Sequence, residues 1–192
     1  MQRFERSQIA ANVVPGVRSY IEAFAARYGT LPDGYWDDHY VLGFVPGIAG
    51  LFATVVAKGK LGDADRLAIV HEAIESISRG FGEHVMQQLK GLMLTQPEDF
   101  VKGAEAAAKV LAFSMRQLPA NDPDLVQAQM DAHQQRGTSA PDAATEFNDT
   151  ARALVHRLFY DVVNQRLMGN TDIPETDSTL PSSVDPGFTV KF

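Results

Sequence analysis

Tyr40–Gly59 reads YVLGFVPGIAGLFATVVAKG. From Tyr40 to Ala57 the stretch carries no charge and is mostly apolar. Four turn-formers interrupt it: Gly43, Pro46, Gly47 and Gly50. Three placements compete. A membrane span needs about 20 apolar residues, which residues 40–57 barely supply. Asp37, Asp38, His39, Lys58 and Lys60 would flank such a span, but the glycines and proline weaken a lone helix. The second placement is a buried central helix, apolar all round because neighbours surround it. Gly43, Gly47, Gly50, Thr54 and Ala57 then form one stripe of small residues along which another backbone approaches closely. The third is a helix that lines a groove or an interface. Burial is the reading adopted, with the central helix at about residues 46–58.

Pro46 limits that helix. In a helix interior it removes the bond to the Leu42 carbonyl and clashes there. Either the helix kinks, or one helix ends near Phe44 and another begins at Pro46. A break would leave N–H groups near Gly47 free to meet an anion.

Outward from this segment the pattern is helical. Residues 3–14 read as a first helix, and Pro15 sits well at the first position of a second one running to about Arg27. Leu67, Val70, Ile74 and Ile77 recur at helical spacing after Gly62-Asp63, and Gly80 closes that helix. Phe81, Val85, Leu89 and Leu92 mark the next. Thr95 and Glu98 have capping-box spacing, ahead of Phe100, Ala104, Ala107, Leu111 and Leu118. Asp122-Pro123 opens a weakly apolar helix, which RGTSAP (136–141) breaks. A last helix is expected from about Pro141 to Met168, with Phe147, Ala151, Leu154, Leu158 and Val162 buried and Gly169-Asn170 as its stop. The expected fold is therefore all-α: a single-domain bundle of about six to eight helices over residues 1–169. Residues 170–192, rich in proline, serine, threonine and acids, form an irregular tail, either flexible or strapped over the surface. If the tail is held, Phe188, Val190 and Phe192 are its expected anchors.

Composition bounds function. The hydrophobic fraction is 45% and the formal net charge is −7. That balance argues against a nucleic-acid footprint, which needs clustered Lys and Arg. With no cysteine in the chain, disulfides, thiolate chemistry and cysteine-ligated metals are excluded. The first residues lack a secretory h-region, so a cytoplasmic setting is expected. Residues 8–24, QIAANVVPGVRSYIEAF, resemble in passing the helix-turn-helix of TetR-type repressors. Too few residues precede Gln8 for that family's first helix, and the glycine-to-tyrosine spacing differs, so the chain is not assigned to it.

The densest chemical cluster is PDGYWDDHY, Pro32–Tyr40. Aromatics beside acids are common where proteins recognise ligands. The same residues also suit a helix start, with Asp33 or Asp37 as cap and Trp36 as a lid on the core. The candidate ligand-binding residues are Trp36, Asp37, Asp38, His39, Tyr40, Gly43 and Gly47. His71 and Glu75, four apart on one helix, are the metal-ligand candidates. Neither Glu-x-x-His nor His-Glu-x-x-His occurs, and no phosphate loop or nucleophile elbow is visible. No catalytic residue and no cofactor is expected. The leading functional expectation is a non-enzymatic protein that binds a protein partner or a second copy of itself, in an adaptor, assembly or regulatory role. The alternatives are a small apolar ligand, with or without catalysis, in a pocket beside the glycine stripe, and insertion of residues 40–57 into a membrane.

Overall fold

A computed structural model describes residues 3–78, 80–136 and 141–169. The expected tail 170–192 with its anchors, and most of the RGTSAP break, lie outside the described residues. Among those described, every regular element is helical: α1 (Arg3–Tyr28), α2 (His39–Val56), α3 (Asp63–Ile77), α4 (Gly82–Thr95), α5 (Glu98–Ser114), α6 (Pro123–Arg136), α7 (Ala143–Val155), a π-turn (His156–Tyr160) and α8 (Asp161–Met168). The all-α bundle is as expected.

Two prolines are absorbed without a break. α1 runs through Pro15 as one helix, not two. Proline in a helix interior costs about 3 kcal/mol. Val13 and Val17, both fully buried against neighbouring helices, hold the turn on either side. α2 likewise runs through Pro46. It starts seven residues before the expected position 46, because Asp38 caps it there. Of the two alternatives at Pro46, the helix end near Phe44 does not occur, and with it goes the anion site near Gly47.

α2 is the central helix. Leu42, Phe44, Ile48, Ala49 and Ala53 are fully buried, and α1, α3 and α5 pack around it. Its 18 residues are long and apolar enough to cross a membrane, yet 67% of them are buried inside the protein. The helix bundle itself therefore supplies most of the apolar surroundings.

The closest helix approach is α2 against α5. A Cβ added to Gly43 would overlap the Phe100 carbonyl oxygen and lie 3.0 Å from the Ala104 nitrogen. A Cβ added to Gly103 would overlap the Tyr40 carbonyl oxygen and lie 3.0 Å from the Phe44 nitrogen. Two backbones touch here, so both positions exclude any side chain. At Gly47 an added Cβ would make an ordinary 3.5 Å contact with the Ala107 methyl. Gly50 faces α3 instead, 3.5 Å from Val70 and 3.6 Å from Arg66. The stripe thus divides between two neighbours. Seven residues along a helix is about 10 Å, and crossed helices diverge over that distance.

Three expected details differ. Leu67 is 36% exposed and Phe81 53% exposed, while Ile69 and Ala73 are fully buried. Thr95 is not a capping-box residue: its hydroxyl bonds back to the Gly91 carbonyl within α4. α5 begins straight after Pro97, and a residue that still closes α4 cannot also cap α5. In the last helix, burial passes from Thr150, Ala153 and Leu154 to Phe159, Tyr160, Val163 and Asn164. The π-turn inserts one residue into the 3.6 period, so Leu158 and Val162 are displaced to the half-buried flank.

The core is in two parts. The large cluster joins α1–α5, the π-turn and α8. A small one, Ala128, Ala132, Ala153 and Leu154, holds α6 on α7, with Phe113 and Leu118 of the α5 end packed against it.

Candidate functional site

The residues expected to form a site do not converge. The turn before α2 places Tyr35 and Trp36 inward, both buried, with ring centroids 5.0 Å apart edge to face. Asp38, not Asp33 or Asp37, caps α2: one carboxylate oxygen accepts from the Tyr40 and Val41 N–H groups at 2.9 and 3.1 Å. Its other oxygen accepts from Arg166, which also donates to Asp99 at 2.9 Å. Asp38 therefore clamps the start of α2 to the starts of α5 and the end of α8. The Tyr40 hydroxyl donates to the Leu158 carbonyl in the π-turn. Asp37 and His39 point outward. Asp37 meets His84 Nε2 at 2.7 Å and the Gln88 amide at 2.6 Å, and these bonds hold its carboxyl below the usual range. This pairing joins positions 47 residues apart and was invisible in the sequence.

α5 occupies the space directly beside Gly43 and Gly47. His71 and Glu75 both lie on the exposed face of α3. Among the described residues no three His, Asp or Glu side chains gather to hold a metal.

Strongly perturbed groups lie in and around the π-turn. Burial, with Arg27 and Arg152 nearby, lowers His156 to about 4, so its ring is neutral at pH 7. Burial pushes Tyr20 up to about 12 and raises Tyr35 and Tyr160 as well. Phe44 stacks on Phe159 at 4.0 Å. These rings pack together in the interior.

An open concavity lies elsewhere, at the far end of α5. Phe113, Arg116, Leu118, Ala120, Leu125 and Phe147 line an apolar groove of about 210 Å³. Local sequence chemistry builds each wall. α5 stops at Met115, and Arg116 takes a left-handed conformation (φ 57°) where glycine is the usual residue. The Gln117 N–H then closes on the Ala112 carbonyl at 2.7 Å and turns the chain. Asp122 opens α6 by accepting from the Asp124 and Leu125 N–H groups. Lys109 of α5 holds both Asp122 (3.2 Å) and Asp124 (2.6 Å), and Arg157 reaches Asp124 at 3.3 Å. Burial alone would raise Asp124, but these two cations keep its carboxyl low. That clamp fixes Leu125 on one side of the groove. Asp142 caps α7 through the Thr145 N–H at 2.7 Å, which sets Phe147 one turn in. Its ring stacks on Phe113 at 4.8 Å.

Arg116 stands apart from the other cations here. Lys102, Lys109, Arg136, Arg152, Arg157 and Arg166 each have a carboxylate partner. Arg116 has its guanidinium 5.6 Å over the Phe147 ring and no ion pair among the described residues. The groove's lining was only partly legible. Leu118 and Phe147 read as core positions, and Arg116 gave no signal. Its role depends on a turn that brings three helix ends together.

Comparison with known proteins gives no match: no protein family, curated protein or solved structure is similar to this chain.

Proposed function

We propose that this protein acts in the cytoplasm by binding another protein, which docks an apolar anchor and a neighbouring carboxylate in the Phe113–Phe147 groove. The observation that carries this reading is a solvent-open apolar trough with one cation at its edge that has no carboxylate partner among the described residues. Small-molecule sites are typically about 300–1,000 Å³ and enclose their ligand. An apolar cavity of about 150 Å³ already holds a benzene ring. The 210 Å³ here therefore suits one or two side chains of a peptide better than a free metabolite. An amphipathic helix or an extended peptide fits, with Phe or Leu as the anchor. An adaptor, assembly or regulatory role follows from such docking.

The test uses a photo-crosslinking residue at Gln117, exposed beside the groove, and a control at Glu105, exposed on the same helix. The expected result is a covalent adduct at Gln117 with one protein, through one repeated segment of it, and none at Glu105. Arg116→Glu should reduce the yield about tenfold, the effect of losing roughly 1.4 kcal/mol. Equal yields at Gln117 and Glu105, unchanged by Arg116→Glu, would overturn the proposal.

A further inference from the structure

We infer that the groove has an occupant within the chain: the segment Asp185–Phe192, DPGFTVKF, docking in cis and competing with the outside partner. This rests on the reading of the groove as a peptide-docking site and adds its regulation. Three observations favour this occupant.

The first is fit. The trough is apolar and aromatic-walled, and its volume takes a phenyl ring. Phe188 and Phe192 are the aromatic side chains beyond α8. The second is charge. Residues 170–192 hold Asp172, Glu175, Asp177 and Asp185 against Lys191 alone. Arg116 is the one cation of α5–α8 without a carboxylate among the described residues. Asp185 lies three residues before Phe188, close enough to meet Arg116 when that ring is seated. Phe192 instead follows Lys191 directly, which would set a like charge beside Arg116. Phe188 is therefore the anchor. The third is reach. From Phe147 to Met168 the α7–α8 rod is about 32 Å long at 1.5 Å per residue. From Gly169 to Phe188 there are nineteen steps, which span up to about 63 Å extended. The segment can fold back along the rod to the groove. A tether that spans its site presents its ligand at an effective concentration of about millimolar, so a contact with a Kd of about 0.1 mM is roughly nine-tenths filled before a free partner arrives.

The experiment uses full-length protein and a fluorescein-labelled peptide of residues 182–192, read by anisotropy. Phe188→Ala empties the groove without touching the described helices. The peptide should bind Phe188→Ala about tenfold or more tighter than wild type, whose own segment competes. Arg116→Glu in the Phe188→Ala background should weaken it about tenfold. Unchanged melting of each variant confirms that its fold is intact. Equal binding to wild type and Phe188→Ala, or no binding to either, would overturn the inference. The Gln117 crosslink separates that failure from failure of the docking site. If the outside partner crosslinks equally in wild type and Phe188→Ala, the segment is not the competitor although the groove still docks a protein. If the crosslink is absent from both, the docking site itself is refuted.

Discussion

The two ends of α5 are built by opposite means. At its N-terminal half, Gly103 meets Gly43 across a crossing so tight that carbonyl oxygens occupy the place of side chains. At its C-terminal end, Phe113 and Arg116 face α6 and α7 across an open trough. The first end excludes everything, water included. The second leaves apolar rings and a cation toward solvent. A helix that is locked at one end can hold the other end rigid while it meets a partner, so the sealed half positions the open half.

The largest effect should come from filling the crossing. Gly103→Leu and Gly43→Leu force a side chain into backbone, and each should cost more than the usual 1–3 kcal/mol of overpacking, on the order of 4 kcal/mol. Denaturant midpoints measure it. Gly47→Ala, with ordinary 3.5 Å contacts waiting, should change stability by less than about 1 kcal/mol and gain helix propensity. Equal costs at Gly103 and Gly47 would show that the crossing is not the close contact described.

A second test concerns the π-turn that joins the two regions. His156 is neutral in the fold until about pH 4, whereas an unfolded imidazole protonates near 6.5. Between those values the unfolded chain binds the extra proton, so stability falls as pH drops, by up to about 3 kcal/mol in total. Asp161, raised chiefly by burial, works in the opposite direction at the acid end. His156→Gln should flatten the slope of melting temperature between pH 6.5 and 4. A slope identical to wild type would mean that His156 is solvated in the fold.

A smaller effect is expected at Tyr40. Its hydroxyl supplies a donor to Leu158 in the π-turn, where the helix ladder is shifted. Tyr40→Phe should cost about 1–2 kcal/mol in thermal unfolding. The smallest should be Arg116→Glu, within about 0.5 kcal/mol by the same measurement, because that side chain is exposed. A large loss there would make Arg116 a structural residue and weaken the contrast.

How much of this was legible follows from what each feature depends on. The central helix was legible because α2 is apolar on every side, a property of consecutive residues. The α6 cap at Asp122 and the stop at Gly169, left-handed at φ 62°, were legible because both act within one turn. Gly103 was not, since its need for a bare backbone comes from Tyr40, about 60 positions away. Pro15 misled because local propensity predicts a break that packing at Val13 and Val17 prevents. The buried stripe after Leu154 failed because a constant period cannot anticipate a π-turn. The candidate segment Trp36–Tyr40 drew notice through chemical density, yet density in sequence scattered inward and outward in space. The groove combines three helix ends, and no window of sequence contains them.

Residue-resolved native-state hydrogen exchange on the full chain tests the contrast most directly. Local stability follows buried apolar contact, which is dense around the crossing and sparser where Leu125, Ala128 and Ala132 are the buried apolar residues of α6. Amides of Ile48–Ala53 in α2 and Ala106–Val110 in α5 should exchange only through global unfolding. Those of Leu125–Ala132 in α6 should exchange through a separate, smaller opening, about 2 kcal/mol or more below the global value. One common opening energy for α2, α5 and α6 would contradict the division of α5 into a sealed half and an open half.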